Sequence, residues 1–121
     1  MKQIRADLHI HSLLSPCGSL EMTPREIISR AMARGLDMIA VSDHNSTLHC
    51  ELTVALGEKA GITVLRAAEV TSAEDVHSLV ILPDGMARAS FQQWIDSRSA
   101  HIPYNPDIFG DQVVIDENEN I

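Results

Sequence analysis

Asp7-Leu8-His9-Ile10-His11 places a carboxylate and two imidazoles within five residues. Residues 3 to 10 alternate well enough to predict a strand. Side chains on a strand alternate faces, so Asp7, His9 and His11 would share one side. His9 and His11 would then lie roughly 6–7 Å apart at the backbone. From there both rings can turn onto one divalent ion, at about 2.0–2.1 Å from each nitrogen. A packed core gives no reason to line three ionisable groups along one side, because each costs desolvation there unless paired. The plainer alternative is a polar strand face in solvent.

Working outward, residues 12 to 22 carry Ser, Pro and Gly and read as a loop. Thr23-Pro24-Arg25-Glu26 is a helix start: a capping Thr, a Pro at the first helical position and a Glu that completes a capping box. Ile27, Ile28, Ala31 and Met32 recur at helical spacing, and Gly35 fits the stop. Met38-Ile39-Ala40-Val41 is wholly apolar, as in a parallel strand buried on both faces. A second helix is predicted from about Thr47 to Ala60, with Leu48, Leu52, Ala55 and Leu56 on one face and Gly61 as terminator. A third strand is expected over Ile62–Leu65, with Glu69 following it, and a fourth over Val76–Leu82, with His77 near its start. After the turn Pro83-Asp84-Gly85, a helix is expected from about Ala87 to Asp96, with Phe91, Trp94 and Ile95 as its apolar side. His101 to Gly110 reads as an irregular loop, Gln112 to Ile115 as a strand, and Asp116 to Asn120 as a hairpin turn that Ile121 would leave. A hairpin with one arm missing suggests a single domain that is incomplete at its C-terminal side.

Strand and helix alternate, the pattern of βα units around a parallel sheet. Functional residues in such folds lie at the carboxyl ends of the strands. His9 and His11 would end the first strand, Asp43 and His44 follow the second, and Glu69 follow the third. Three successive strand ends thus deliver groups able to bind metal. Asp7 either binds the metal, holds a ligand imidazole, or is a structural carboxylate. Asp43 and His44 suit a metal or a phosphate, against the alternative of an Asp capping the next helix. Glu69 can bridge two ions held roughly 3.5–4 Å apart, against a surface salt bridge. His77 lies among apolar residues but belongs to the same set. His49 and His101 read as ordinary helix and loop histidines, Cys50 as packing, and Cys17 as a small loop residue or an occasional soft ligand.

The chain has 121 residues, 9 Lys plus Arg against 17 Asp plus Glu, and a formal net charge of −8. That balance argues against long nucleic acid and anionic membrane as partners, while bound cations can still reverse the sign of a pocket. No apolar run nears 18 residues and no signal-peptide pattern follows Met1, which reads as a cytoplasmic protein. Aromatic residues make up 3%, so the core must be aliphatic.

Together, DLHIHS at 7–12, SDHN at 42–45, Glu69 and His77 resemble the PHP (polymerase and histidinol phosphatase) family. The resemblance implies a distorted seven-stranded (β/α) barrel of TIM-like form, here represented by its first half. It implies two or three divalent ions, commonly Mn, Zn or Fe. The activity implied is hydrolysis of phosphoesters, for this chain a small phosphomonoester or nucleotide phosphate, with Glu69, Asp43 and His44 in the catalytic set. His9 and His11 would ligate the first ion, Glu69 would bridge it to a second held also by His77, and His44 beside Asp43 would serve a third ion or the substrate phosphate. The family usually has an acid shortly after its HxH, where this chain reads Ser15-Pro16-Cys17-Gly18. The family's further ligands come from a second half that this chain lacks. An inactive metal-binding fragment or regulatory module is the rival reading, and open strand edges would then favour self-association or exchange of elements between chains. An amidohydrolase-like hydrolase is the other, but such enzymes often bridge their metals with a modified lysine, and only Lys2 and Lys59 are present.

Overall fold

Four strands form one sheet in the order β1-β2-β3-β4: β1 (Ala6–Ile10), β2 (Met38–Val41), β3 (Thr63–Thr71) and β4 (His77–Ile81). The computed structural model describes residues 1–100 and 102–121, so the reading of His101 lies outside the described residues. β1, β2 and β3 run parallel, joined by α1 (Pro24–Ala33) and α2 (Cys50–Ala60). β4 returns antiparallel to β3 and leads to α3 (Arg88–Asp96) and a single turn, α4 (Pro106–Phe109). The class is α/β as expected, but these strands do not close into a barrel, since β1 and β4 are the two edges. No helix among the described residues is long and apolar enough to cross a membrane.

Local chemistry explains the elements. Thr23 caps α1 by accepting from Glu26 N, with Pro24 in the first turn. Glu26 does not reach back to complete the box; its carboxylate takes Arg30 Nε at 2.7 Å instead. Gly35 has φ 66°, the left-handed conformation that ends the helix. Ile27, Ile28 and Ala31 pack on Ile39 and Val41 of β2 together with Ile62, while Met32, expected beside them, is exposed.

α2 departs further from its prediction. Its buried residues are Cys50, Thr53 and Gly57, whereas Leu48 and Ala55 are exposed. The small residues decide the face. A Cβ on Gly57 would stand 2.3 Å from Val64 Cγ2, so the helix can approach β3 closely only along that stripe.

Four further expectations are corrected. β3 runs on to Thr71, so Glu69 lies inside a strand rather than after one. Arg66-Ala67-Ala68 has weak strand propensity, but β4 supplies a partner from the far side. Gln112–Ile115 joins no ladder; its backbone is held by Val113 N on Leu13 O at 3.3 Å and Ile115 N on His49 Nε2 at 3.1 Å. Residues 106–109, read as irregular, make a helical turn capped by Asn105. The turn at Asp116–Asn120 is present, closed by Asp116 N on Asn120 O at 2.9 Å, but no returning strand forms at Ile121.

Candidate metal centre

The register between β1 and β2 shifts between Asp7 and Ile10, three residues of β1 passing against two of β2. Such a bulge re-aims side chains, and this one contains His9 and ends just before His11. Beyond β2 the chain stays in parallel register with β3: Glu69 N donates to Asp43 O at 3.1 Å, Asn45 N donates to Glu69 O at 2.9 Å, and His44 bridges Glu69. The ends of β1 and β2 therefore meet the middle of β3.

Glu69 is the hub. Its Oε2 lies 2.9 Å from His9 Nε2, 3.1 Å from His11 Nε2 and 3.7 Å from His44 Nδ1, and its Oε1 lies 3.0 Å from His77 Nδ1. His77 reaches it diagonally across the antiparallel pair, because Glu69 stands opposite Leu79 and Thr71 opposite His77. The hydrogen bond from His9, supported by that from His77, holds the Glu69 carboxyl below its usual range despite burial. Burial, with the neighbouring His44 adding to it, pushes His11 below the usual histidine value.

His9, His11, His44, Glu69 and His77 are thus brought together, as the sequence predicted. Donor atoms fall into three overlapping triads, His9/His11/Glu69, His44/Glu69/His77 and His11/Cys17/His44, each within 4.8 Å. Asp7 and Asp43 belong to none of them. Asp7 is exposed, with Oδ1 accepting from His9 N at 3.3 Å. Asp43 is 2% exposed and lies beneath the cluster. Its oxygens accept from Ser12 N, Ser12 Oγ and Ser15 Oγ, each at 2.7 Å.

That buried network sets the state of His11. Ser15 Oγ gives its one hydrogen to Asp43 and accepts from His44 N at 3.1 Å. Its remaining lone pair faces His11 Nδ1 at 3.2 Å, which must therefore carry a hydrogen. In the neutral ring Nε2 is then bare, and it faces both His9 Nε2 at 3.1 Å and Glu69 Oε2. The lone pairs of His11 Nε2 and Glu69 Oε2 repel one another at that distance unless a cation sits between them, so the donor set fits a divalent metal of the kind imidazole and carboxylate bind.

His49 belongs to the same support, not to general packing. It is 1% exposed at the N-cap of α2. Its Nε2 accepts from Ile115 N, so Nδ1 donates to Ser12 Oγ at 2.8 Å, and Ser12 passes its own hydrogen to Asp43. Burial pushes His49 below its usual pKa. The unfolded chain therefore takes up this proton near pH 6.5 while the folded chain refuses it. The stability His49 contributes is complete above that pH and declines as pH falls below it. The expected slope from this one group is no steeper than about 1.4 kcal/mol per pH unit. Urea unfolding of the metal-free protein from pH 7.5 to 5 should show it, with a shallower decline in His49→Gln; parallel curves would refute the assignment.

The sequence reading missed Ser12, Ser15 and His49. The one available signal for the serines was their spacing, Ser12 and Ser15 three residues apart directly after the HxH pair.

A family model described as the PHP domain matches residues 7–118. The 3′,5′-nucleoside bisphosphate phosphatase of Chromobacterium violaceum is 36% identical over 80 residues, covering 66% of this chain and 27% of that protein. An uncharacterised protein of Methanocaldococcus jannaschii is 31% identical over 80 residues, covering 59% of this chain and 46% of its own length. Among solved structures, one assigned as a metal-dependent phosphoesterase of Bifidobacterium adolescentis superposes with a TM-score of 0.63 at 25% identity, covering 79% of this chain and 33% of that one. An amidohydrolase of C. violaceum, solved with bound sulfate and no metal, gives 0.63 at 29% identity, covering 77% of this chain and 32% of that one. The chain therefore spans less than half the length of any of these proteins.

Proposed function

The chain belongs to the PHP domain family, and from that premise we propose that its histidine–glutamate cluster holds divalent ions serving the hydrolysis of a small phosphoester. One observation carries the reading: the bare Nε2 of His11 and the carboxylate of Glu69 face each other at 3.1 Å, which favours a cation between them. His9 and His11 would hold one ion, Glu69 would bridge, and His77 would hold a second; His44 would serve a further ion or the phosphate. When bound, such ions lower the pKa of water and neutralise phosphate oxygens. Manganese, zinc and iron all suit this donor set.

The rest is done by the chain's own groups. Ser15 keeps the hydrogen on His11 Nδ1, and Asp43 keeps Ser15 in place, so both are positioning residues. The phosphoester class is supported by the named activities of the phosphatase and phosphoesterase relatives. A net charge of −8 disfavours long nucleic acid. An amide substrate has less support, because Lys59 lies in the last turn of α2. That turn feeds the start of β3, at the opposite end of the sheet from the cluster. Since the relatives are longer, the remaining donors would come from residues outside these 121 or from a neighbouring copy.

The test is phosphate release from a nucleoside 3′,5′-bisphosphate and from p-nitrophenyl phosphate, with manganese or zinc added. Metal-dependent turnover above the Glu69→Gln background supports the reading. Stoichiometric metal binding without turnover would instead favour a metal-binding module.

A further inference from the structure

His11 cannot serve two of the three triads at once. Its Nδ1 is committed to Ser15, so its single free nitrogen goes to one ion. If that ion is the one shared with His9 and Glu69, Cys17 is left facing His44. The loop fixes this placement. Ser15 N donates to Ser12 O at 3.1 Å and Gly18 N to Ser15 O at 2.9 Å, folding residues 12–18 back over the end of β1. A Cβ on Gly18 would lie 1.9 Å from Ser12 O, so only glycine allows the fold-back that carries Cys17 to the cluster. The rings of His11 and His44 stack with centroids 4.7 Å apart, and the Cys17 sulfur lies within 4.8 Å of a nitrogen on each.

We infer that Cys17 is a metal ligand, its sulfur joining His44 to make a thiolate lobe of the centre that selects a thiophilic cation such as zinc over manganese. The inference rests on the metal-centre reading above. On binding, the sulfur gives an electron pair to the ion and the thiol proton leaves to solvent. Thiolate is the softest donor in the set, and geometry and ligand type, more than raw affinity, decide which divalent ion a site keeps. The other cysteine cannot imitate this role: Cys50 is buried, with its sulfur bonded to Ala67 O.

Cobalt(II) is the probe, since thiolate ligation gives it an intense near-ultraviolet charge-transfer band that nitrogen and oxygen ligands do not. Wild-type chain loaded with cobalt should show the band, and Cys17→Ser and Cys17→Asp should lose it. Zinc should slow alkylation of Cys17 by iodoacetamide several-fold, and Cys17→Ser should weaken zinc binding about tenfold or more. Cys17→Asp should still bind metal, with its preference moved toward manganese. Cobalt held in a Glu69-dependent manner without the band would overturn the thiolate assignment and leave the metal centre standing. Persistence of the band in Cys17→Ser would overturn it too, by pointing to Cys50. Failure of the wild-type chain to hold cobalt at all would remove both readings.

Discussion

Replacing Glu69 by Gln is expected to empty the metal centre while leaving the fold in place. Glu69 meets three imidazoles within 3.1 Å and a fourth at 3.7 Å, and it is the one carboxylate in the three triads. An amide keeps the shape but removes the charge, and its NH2 end turns a donor toward nitrogens that should face an ion. Loss of a partner that merely orients a ligand costs about 10–100-fold in metal affinity. Loss of a ligand common to two triads should exceed that, and phosphoesterase turnover should fall with it. Elemental analysis of the purified variant, with zinc titration of the metal-free form, measures the effect. Metal content equal to wild type would remove Glu69 from the centre. The metal-free variant should still fold, because the backbone of Glu69 is held whatever its side chain, and should be less stable only by the weakened hydrogen bonds from His9 and His77.

The second large effect concerns a residue outside the three donor triads. Asp43→Ala should destabilise the protein by about 4 kcal/mol, since hydrogen bonds to a charged group are worth roughly 1.5–3 kcal/mol each and do not add fully. Ser12 N, Ser12 Oγ and Ser15 Oγ would all lose their acceptor in a buried place. Asp43→Asn should cost less, because one oxygen still accepts while the NH2 opposes a serine hydroxyl. Asp43→Ala frees Ser15, so His11 should lose its enforced tautomer and metal affinity should drop about 10–100-fold, whereas Asp43→Asn keeps the oxygen that accepts from both Ser12 N and Ser15 Oγ and should spare most of that affinity. Urea denaturation gives the first quantity and metal titration the second. A loss below about 1 kcal/mol for Asp43→Ala would refute the network as drawn.

The legible parts of this fold were those governed by neighbours in sequence. Thr23-Pro24 and Gly35 bracket α1 as expected, and Gly61 ends α2 at φ 74°. The short apolar run Met38–Val41 is β2. What stayed hidden was set by distant partners. Arg66 to Thr71 has no strand pattern of its own and is extended because β4 pairs with it. The buried stripe of α2 follows Gly57 and Val64, a contact that periodicity cannot show. At the site, residue types that bind metal announced themselves: His9, His11, His44, Glu69 and His77 converge. Asp43 carried the same chemical signature but lies under the cluster. Only the register that brings Ser12 and Ser15 over it separates a ligand from a support.

β3 is paired along both flanks at Glu69, with β4 on one side and the extension of β2 on the other. β4 is an edge, mostly exposed, and it contributes His77. Backbone protons at the two places should therefore exchange on different clocks, that of Glu69 only when the sheet itself opens and those near His77 by fraying of the margin. An ion held as proposed would thus have one fixed ligand, the Glu69 carboxylate on a doubly paired strand, and one on the looser border of the sheet, His77.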